Sequence, residues 1–230
     1  MPPMEIVPGV HAVKLVAATG FLIDEPQMTL IDTGLTGSRG RYLRYLRRIN
    51  RSTADLRRIL ATHGHPDHVG AVRELTRDNS AEVFLHPADV SGLQVSLRDA
   101  WRGRDRHTIL AYLTRGPHAA TPLHDGDEFP ILGGLRVIHT PGHTPGSVCL
   151  YAPAHRLLFS GDLLEVVRGQ LSFANKMWTM DMPAAQASVA RLTELDVGTI
   201  AMSHYPLWRT DANAALAGLA RRAVLAAPRG

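Results

Sequence analysis

Residues 62–68 read T-H-G-H-P-D-H, and they place three imidazoles and one carboxylate within the six positions from His63 to His68. Side by side, the imidazoles repel one another when they are protonated, and their lone pairs need partners when they are neutral. A divalent metal removes both difficulties, because imidazole nitrogen and carboxylate oxygen are ligands that such metals prefer. The alternative is a solvated polar loop that happens to be rich in histidine. We favour the metal site.

The neighbours of this run indicate where it lies in a fold. Residues 56–61 are largely apolar and predict a buried strand, whereas apolar residues recur at helical spacing over 69–75. The run therefore follows the carboxyl end of a strand and opens a helix, which is where open α/β sheets bind ligands. His63 and His65 alternate along an extended backbone and point to the same side. The carboxylate and the third imidazole belong to the helix start, so they are available to a second metal.

Three further apolar strands end in histidine or aspartate. The run 135–138 leads into H-T-P-G-H-T-P-G, in which two Pro-Gly pairs bracket the second histidine and project it from a rigid turn. The short apolar runs 157–160 and 199–202 end in Gly-Asp and Ser-His. A dinuclear site needs more than four ligands, and the remaining candidates are His143, Asp162 and His204.

This pattern resembles the metallo-β-lactamase superfamily over nearly the whole chain. The run at 62–68 matches the family signature H-x-H-x-D-H, and the later His, Asp and His follow in the expected order. Residues 31–34, I-D-T-G, resemble the early aspartate motif of the same family. One departure is Ser203-His204-Tyr205, where many relatives carry glycine on either side of the histidine. The ligand itself is retained, and the change affects the contour of the neighbouring pocket.

The resemblance implies a role for each candidate. The ligands expected for one metal are His63, His65 and His143. The ligands expected for the other metal are Asp67, His68 and His204. Asp162 is expected to bridge the two metals. Asp32 resembles the structural aspartate beneath the site and is not counted as a ligand.

These ligands imply hydrolytic chemistry. Two metals share a hydroxide and lower the pKa of bound water towards about 7. We therefore expect a zinc-dependent, dinuclear hydrolase in which a metal-bridging hydroxide attacks a small ester, lactone or thioester. Asp67 is the predicted catalytic residue, which orients the hydroxide and later carries a proton. The expected cofactor is two divalent metals per chain; nitrogen and oxygen ligands favour Zn²⁺, and iron and manganese are the alternatives.

Comparison with individual branches of the superfamily restricts the class of substrate that we expect. Glyoxalase II, a thioester hydrolase with this ligand pattern, adds a C-terminal helical domain, whereas 26 residues follow His204 here. Acyl-homoserine lactone lactonases are nearer in length, but they commonly place a tyrosine where this chain has Glu165. True β-lactamases of the best-known class carry cysteine in place of Asp162 and lack Asp67, so antibiotic hydrolysis is not expected. The alternatives from other classes are a mononuclear iron, persulfide dioxygenase-like oxidoreductase and a nucleic-acid-processing metallohydrolase.

Two segments are predicted to approach the substrate. Residues 88–123 do not read as sheet and form a partly helical, aromatic-bearing insertion of the kind that roofs pockets. The aromatic residues of this insertion have two alternative roles, namely contact with the substrate and packing within a small lid. Residues 165–181 are expected to form a loop that borders the metals, because they follow the bridging aspartate. The candidate substrate-binding residues are Trp101, His107, Tyr112, Trp178 and Tyr205.

The order of the predicted elements gives two similar halves of strands and helices. Periodicity alone indicates a mixed α and β protein. The resemblance implies the α+β class and a four-layer αββα sandwich of two mixed β-sheets flanked by helices. Because no low-complexity linker is apparent, we expect a single domain over residues 1–230, with the insertion at about 88–123.

Composition fits an ordinary soluble enzyme. The 230 residues carry a net charge of +4, supplied almost entirely by arginine. The densest group of basic residues, 39–51, is interpreted as the solvent-exposed face of an amphipathic helix. Nucleic acid is therefore not an expected partner. The single cysteine, Cys149, and the lack of an apparent signal peptide or membrane span predict a cytoplasmic location and no membrane partner. The expected partner is a small-molecule substrate, and a homodimer is compatible with the sequence.

Overall fold

The computed structural model describes residues 4–90 and 119–226, with side chains described up to residue 223. The chain divides into two compact units between residues 123 and 124. Each unit contains a mixed β-sheet with helices packed against it. The predicted α+β class with two mixed sheets flanked by helices is therefore confirmed. The prediction of a single domain over the whole chain stays a prediction.

The first unit is built on a sheet that changes from antiparallel to parallel pairing. Its strands in the described residues are β1 (Met4–Val7), β2 (Val10–Lys14), β3 (Thr19–Ile23), β4 (Met28–Ile31), β5 (Leu56–Leu60), β6 (Glu82–Leu85) and β7 (Thr121–Pro122). They lie in chain order across the sheet. β1 to β4 pair antiparallel, whereas β4 to β7 pair parallel. The carboxyl ends of β4, β5 and β6 therefore lie side by side at one edge of the sheet.

Helix α1 (Arg39–Arg48) packs against this sheet through an aromatic face. Tyr42, Tyr45 and Leu46 are buried among sheet residues, while the arginines on the opposite face stay exposed. This is the amphipathic helix that the sequence predicts. Shorter helices follow the parallel strands, namely α2 (Pro66–Val69), α3 (Val72–Leu75) and α4 (Pro87–Val90).

The second unit has its own mixed sheet and a separate hairpin. Its strands are β8 (Glu128–Phe129), β9 (Leu135–His139), β10 (Val148–Ala152), β11 (Leu157–Gly161), β12 (Leu164–Val167), β13 (Gln170–Phe173) and β14 (Thr199–Met202). The sheet order is β14-β11-β10-β9-β8, with β11 and β14 parallel and the other neighbours antiparallel. Two helices, α5 (Met182–Leu192) and α6 (Ala212–Ala226), contribute to the apolar core of this unit.

The hairpin β12–β13 corrects the expectation that residues 165–181 form a loop. Its two turn residues, Arg168 (φ 52°) and Gly169 (φ 76°), both adopt the left-handed region, as a two-residue type I′ turn requires. Two four-residue strands with partly exposed side chains give only a weak alternating pattern, and Arg-Gly is a weaker turn signature than Asn-Gly. The hairpin therefore carries no clear signal in the sequence.

The expectation that residues 88–123 contain no sheet is also corrected at one end. Thr121–Pro122 forms β7, which pairs with β6 through Phe84 and Leu85. A two-residue strand that contains proline carries too little pattern to be predicted. At the other end, residues 88–90 belong to α4. Residues 91–118 of the insertion lie outside the described residues.

Cys149 lies fully buried in β10, and burial raises its pKa to about 12. Over residues 4–90 and 119–226, no helix combines the length and the apolarity needed to cross a bilayer.

Candidate metal centre

The first cluster consists of His63, His65, Asp67 and His68, and it forms directly after β5. His65 is extended (φ −70°, ψ 150°), and Pro66 then opens α2, so the chain turns into a helix immediately after the second histidine. Ligand atoms of the pairs His63–His65, His63–His68 and Asp67–His68 each lie within 4.8 Å of one another. Nε2 of His68 lies 3.8 Å from Oδ2 of Asp67. The four candidates on this run are therefore close together.

Asp32 supports this cluster from the end of the neighbouring strand β4. Its fully buried carboxylate accepts hydrogen bonds from the Thr62 amide (2.8 Å) and the Thr62 hydroxyl (2.9 Å), and it lies 2.8 Å from Nδ1 of His68. Because a carboxylate only accepts, Nδ1 of His68 carries the proton and Nε2 keeps the lone pair that a metal needs. Nδ1 of His63 lies 3.2 Å from the Thr62 hydroxyl, which donates to Asp32 and accepts from His63. The same carboxylate thus fixes the tautomers of two imidazoles.

The backbone of Asp32 is held as firmly as its side chain. Asp32 adopts a left-handed conformation (φ 58°), and its carbonyl accepts the hydroxyl proton of Tyr42 at 2.6 Å. A Cβ on Gly20 would overlap the Tyr42 hydroxyl and the Asp32 carbonyl, so glycine is required there. These contacts hold the backbone of Asp32 in place, and its structural role stays a prediction.

The second cluster consists of His143, Asp162 and His204. His143 lies in the loop of residues 140–147 between β9 and β10, which is closed by a hydrogen bond from the Thr140 amide to the Ser147 carbonyl (2.8 Å). Gly142 has φ 140°, and a Cβ there would overlap the backbone of Ala185 in α5. Glycine therefore lets this loop pack directly onto the start of the helix.

Asp162 and His204 meet because β11 and β14 are parallel neighbours whose carboxyl ends lie at the same edge. Oδ2 of Asp162 lies 3.1 Å from Nε2 of His204 and 3.6 Å from Nε2 of His143. Two ligand atoms bound tetrahedrally to one zinc, at about 2.0–2.1 Å each, are about 3.3 Å apart. The second cluster therefore has the donor types and spacings of metal ligands, with one carboxylate oxygen facing two imidazoles.

Groups near the protein surface hold the loop of residues 140–147. Nε2 of His139 donates to the carbonyl of Pro145 (2.9 Å), and the His139 amide donates to Asp125 (2.7 Å). Arg191 of α5 donates to the His139 carbonyl (2.7 Å) and to Asp125 (2.9 Å). Asp125 and Arg191 cannot be predicted from the sequence, because no motif or spacing marks them.

Asp89 is another residue that the sequence analysis misses. It lies in α4, just beyond the carboxyl end of β6, and its Oδ2 accepts a hydrogen bond from the amide of Gly64 at 2.7 Å. The rule that singles out Asp162, an acidic residue shortly after a short apolar strand, also applies here. Asp89 is not predicted as a site residue because it lies at the start of residues 88–123, which are expected to be an insertion.

The structure describes two of the five candidate substrate-binding residues, Tyr205 and Trp178. The Tyr205 hydroxyl donates to Glu165 at 2.9 Å, and burial, together with this hydrogen bond and the nearby negative charges, raises the Tyr205 pKa to about 12. Trp178 is 38% exposed, in a turn where its amide donates to the Asn175 carbonyl. The other three, which lie outside the described residues, are Trp101, His107 and Tyr112.

Known proteins resemble this chain in sequence and in fold. A family model described as the metallo-beta-lactamase superfamily matches residues 16–204. The probable metallo-hydrolase YflN of Bacillus subtilis (strain 168) is 26% identical over 232 residues, covering 87% of this chain and 85% of that protein. Hydroxyacylglutathione hydrolase GloC of Haemophilus influenzae is 31% identical over 144 residues, covering 61% of this chain and 63% of that protein.

A solved structure extends the likeness to the fold. The metallo-beta-lactamase family protein TTHA1429 from Thermus thermophilus matches with a TM-score of 0.76 at 24% identity, covering 96% of this chain and 81% of that one. At this identity the likeness shows the fold alone. Because the family model spans residues 16–204, it includes every residue of both His/Asp clusters. The chain belongs to the metallo-β-lactamase superfamily of metallo-hydrolases.

Proposed function

We propose that this protein is a dinuclear, metal-dependent hydrolase of small esters, lactones or thioesters, and that its two clusters supply one metal centre. The observation that carries the proposal is the carboxylate of Asp162, whose single oxygen Oδ2 faces the Nε2 atoms of His143 and His204. An oxygen shared in this way is the donor that a bridging ligand provides. Family membership supports the same assignment.

The proposed ligand sets are those that membership of the superfamily implies, and each set combines residues of both clusters. The residues proposed to hold the first metal are His63, His65 and His143. The residues proposed to hold the second metal are Asp67, His68 and His204. Asp162 would bridge them. Imidazole and carboxylate donors, without a thiolate, favour Zn²⁺, with iron and manganese as the alternatives. When bound, the metals would polarise the substrate carbonyl and supply water that is acidic enough to attack at neutral pH.

The protein's own residues would then orient the reactants and move a proton. The Asp67 side chain is partly exposed, which allows its carboxylate to accept a proton from the attacking water and return it to the leaving group. Asp32 keeps His63 and His68 in the tautomer that presents Nε2, so no proton has to leave these rings before a metal binds. Tyr205 and Trp178 remain proposals for substrate contact, since both lie close in the chain to ligands or to the hairpin β12–β13.

Acyl transfer to water is the reaction class that fits best. A relative that is 31% identical over 144 residues is described as a hydroxyacylglutathione hydrolase, which supports an ester-like or thioester-like substrate for this chain. The Glu165 carboxylate beside Tyr205 adds a negative charge three positions after Asp162. A cytoplasmic location, a homodimer and the absence of a nucleic-acid partner stay predictions.

The test is a substrate panel run on protein whose metal content has been measured. Zinc-loaded protein should hydrolyse at least one ester, lactone or thioester series, lose this activity with a chelator, and recover it with zinc. Asp196→Ala is a suitable control, because Asp196 is an exposed carboxylate that pairs with Arg156 at 2.7 Å in the second unit. A preparation that takes up one iron and consumes oxygen with a persulfide, but hydrolyses none of the panel, would contradict the proposal.

A further inference from the structure

Gly64 separates the two histidines that open the first cluster. Glycine loses more conformational freedom on ordering than any other residue, so this peptide is where the loop most needs an external support. The Gly64 amide donates to Oδ2 of Asp89 at 2.7 Å. A hydrogen bond to a carboxylate is about twice as strong as a bond between neutral groups. Asp89 thus holds the chain at the midpoint between His63 and His65.

The position of Asp89 is built into the fold. β6 is the parallel neighbour of β5, so the residues after both strands emerge at the same edge of the sheet. After β6, the Ala88 amide donates to Nδ1 of His86 (3.2 Å) and the Asp89 amide donates to the His86 carbonyl (3.0 Å). These bonds fold a tight turn that directs the Asp89 carboxylate to Gly64. Asp89 is only 6% exposed, which shields the bond from water.

The absence of a side chain at position 64 is part of the same arrangement. A Cβ on Gly64 would lie 3.2 Å from both the Cβ and the carbonyl oxygen of Asp89, and 3.5 Å from its Oδ2. Contacts of 3.2 Å are tighter than most real Cβ contacts, so alanine would press the Asp89 turn away. The close approach of Asp89 and the glycine between the two histidines therefore depend on each other.

We propose that Asp89 is a positioning residue that sets the directions of the His63 and His65 imidazoles and thereby the metal affinity of the first cluster. This rests on the proposed function insofar as the two histidines are metal ligands. Asp89 acts through the hydrogen bond that it accepts from the Gly64 amide. Without it, the peptide between the histidines can rotate, and the two Nε2 atoms no longer converge on one ion.

The experiment measures zinc affinity by competition with a chromophoric chelator in the wild-type chain and in Asp89→Ala and Asp89→Asn. Loss of partners around metal ligands typically costs 10–100-fold in metal affinity, and we expect a loss of about that size for Asp89→Ala. Asp89→Asn should stay within about threefold of wild type, because an amide oxygen also accepts the Gly64 proton. The control is Asp78→Ala, an exposed acidic residue of the same unit that pairs with Arg39 and should leave affinity unchanged.

The results separate this inference from the proposed function. A wild-type chain that binds no zinc contradicts the proposed function, whereas zinc binding that is equal in wild type and Asp89→Ala overturns the role of Asp89 alone. Asp89→Asn as weak as Asp89→Ala also overturns it, because the hydrogen bond would then not be the cause. Thermal unfolding of the metal-free variants reports whether Asp89→Ala keeps its fold. If it does not, Gly64→Ala should lower zinc affinity while the protein remains folded, and unchanged affinity there overturns the proposal.

Discussion

The two His/Asp clusters offer the same kinds of donor atom, but the charged groups that support them differ in burial. The first cluster rests on a buried network in which Asp32, Thr62 and Asp89 fix the loop from beneath. In the second unit, the charged side chains that hold the loop carrying His143 are Asp125 and Arg191, which are 48% and 49% exposed. Removing one partner of a buried pair typically costs about 3–5 kcal/mol. An exposed ion pair contributes about 0–1 kcal/mol. Mutation of the charged supports should therefore have a far larger effect in the first unit than in the second.

The largest expected effect comes from the ligands, where the clusters should behave alike. His65→Ala and Asp162→Ala should each lower kcat/KM by more than about 100-fold, which exceeds the usual effect of changing the partners of a ligand. Steady-state kinetics on folded, zinc-loaded variants measures this. An Asp162→Ala variant that keeps its activity would contradict the bridging role of Asp162 and would show that the two clusters are not equally important. Asp196→Ala is the control in the second unit and should keep wild-type kinetics.

Loss of the buried support of the first cluster should produce the next largest effect. Asp32→Ala should lower the free energy of unfolding by about 3–5 kcal/mol, because it leaves Thr62 and His68 without their buried acceptor. Urea unfolding of the metal-free chain measures this. Asp32→Asn is the matched variant, since asparagine tolerates the left-handed backbone and keeps one acceptor, and its loss should be smaller. If Asp32→Ala lowers the free energy of unfolding by less than about 1 kcal/mol, the buried Asp32 contributes no more than an exposed ion pair does.

The exposed support of the second unit should matter less and should depend on salt. Arg191→Ala should lower the free energy of unfolding by about 0–1 kcal/mol at low ionic strength, and by less in high salt, because surface charges are screened. Parallel urea titrations at two salt concentrations give both values. A salt-independent loss as large as that of Asp32→Ala would overturn the contrast between the units.

The smallest expected effect is a pH dependence of this exposed pair. Burial tends to raise the pKa of Asp125, but the hydrogen bond from the His139 amide and the pairing with Arg191 outweigh it and lower the pKa below its ordinary value. A carboxyl group with a lowered pKa stabilises the fold above its ordinary pKa, near about 3.9, and this stabilisation disappears as the pH falls through the lowered value. Asp125→Asn should flatten the acidic limb of the stability profile slightly. An unchanged profile would show that the pair contributes nothing there.

The sequence predicts those features that have a strong local pattern. The H-x-H-x-D-H run, the strands that end in Asp162 and His204 and the amphipathic helix α1 each carry a period or a residue type that points to one structure. The hairpin β12–β13 and the two-residue strand β7 are too short to carry a period. Asp89, Asp125 and Arg191 act through partners far away in the chain, such as Arg191 and Asp125, which are 66 residues apart. Single-sequence patterns do not report such pairs.

The most direct test of the account is the zinc-to-protein ratio of the wild-type chain and of His204→Ala, measured by elemental analysis after loading and removal of excess metal. If both clusters contribute to one dinuclear centre, the wild-type chain should retain about two zincs, as a two-metal site requires. His204→Ala should retain about one, although the first cluster is intact in that variant. A wild-type chain without metal, or an unchanged ratio in His204→Ala, would contradict the shared centre.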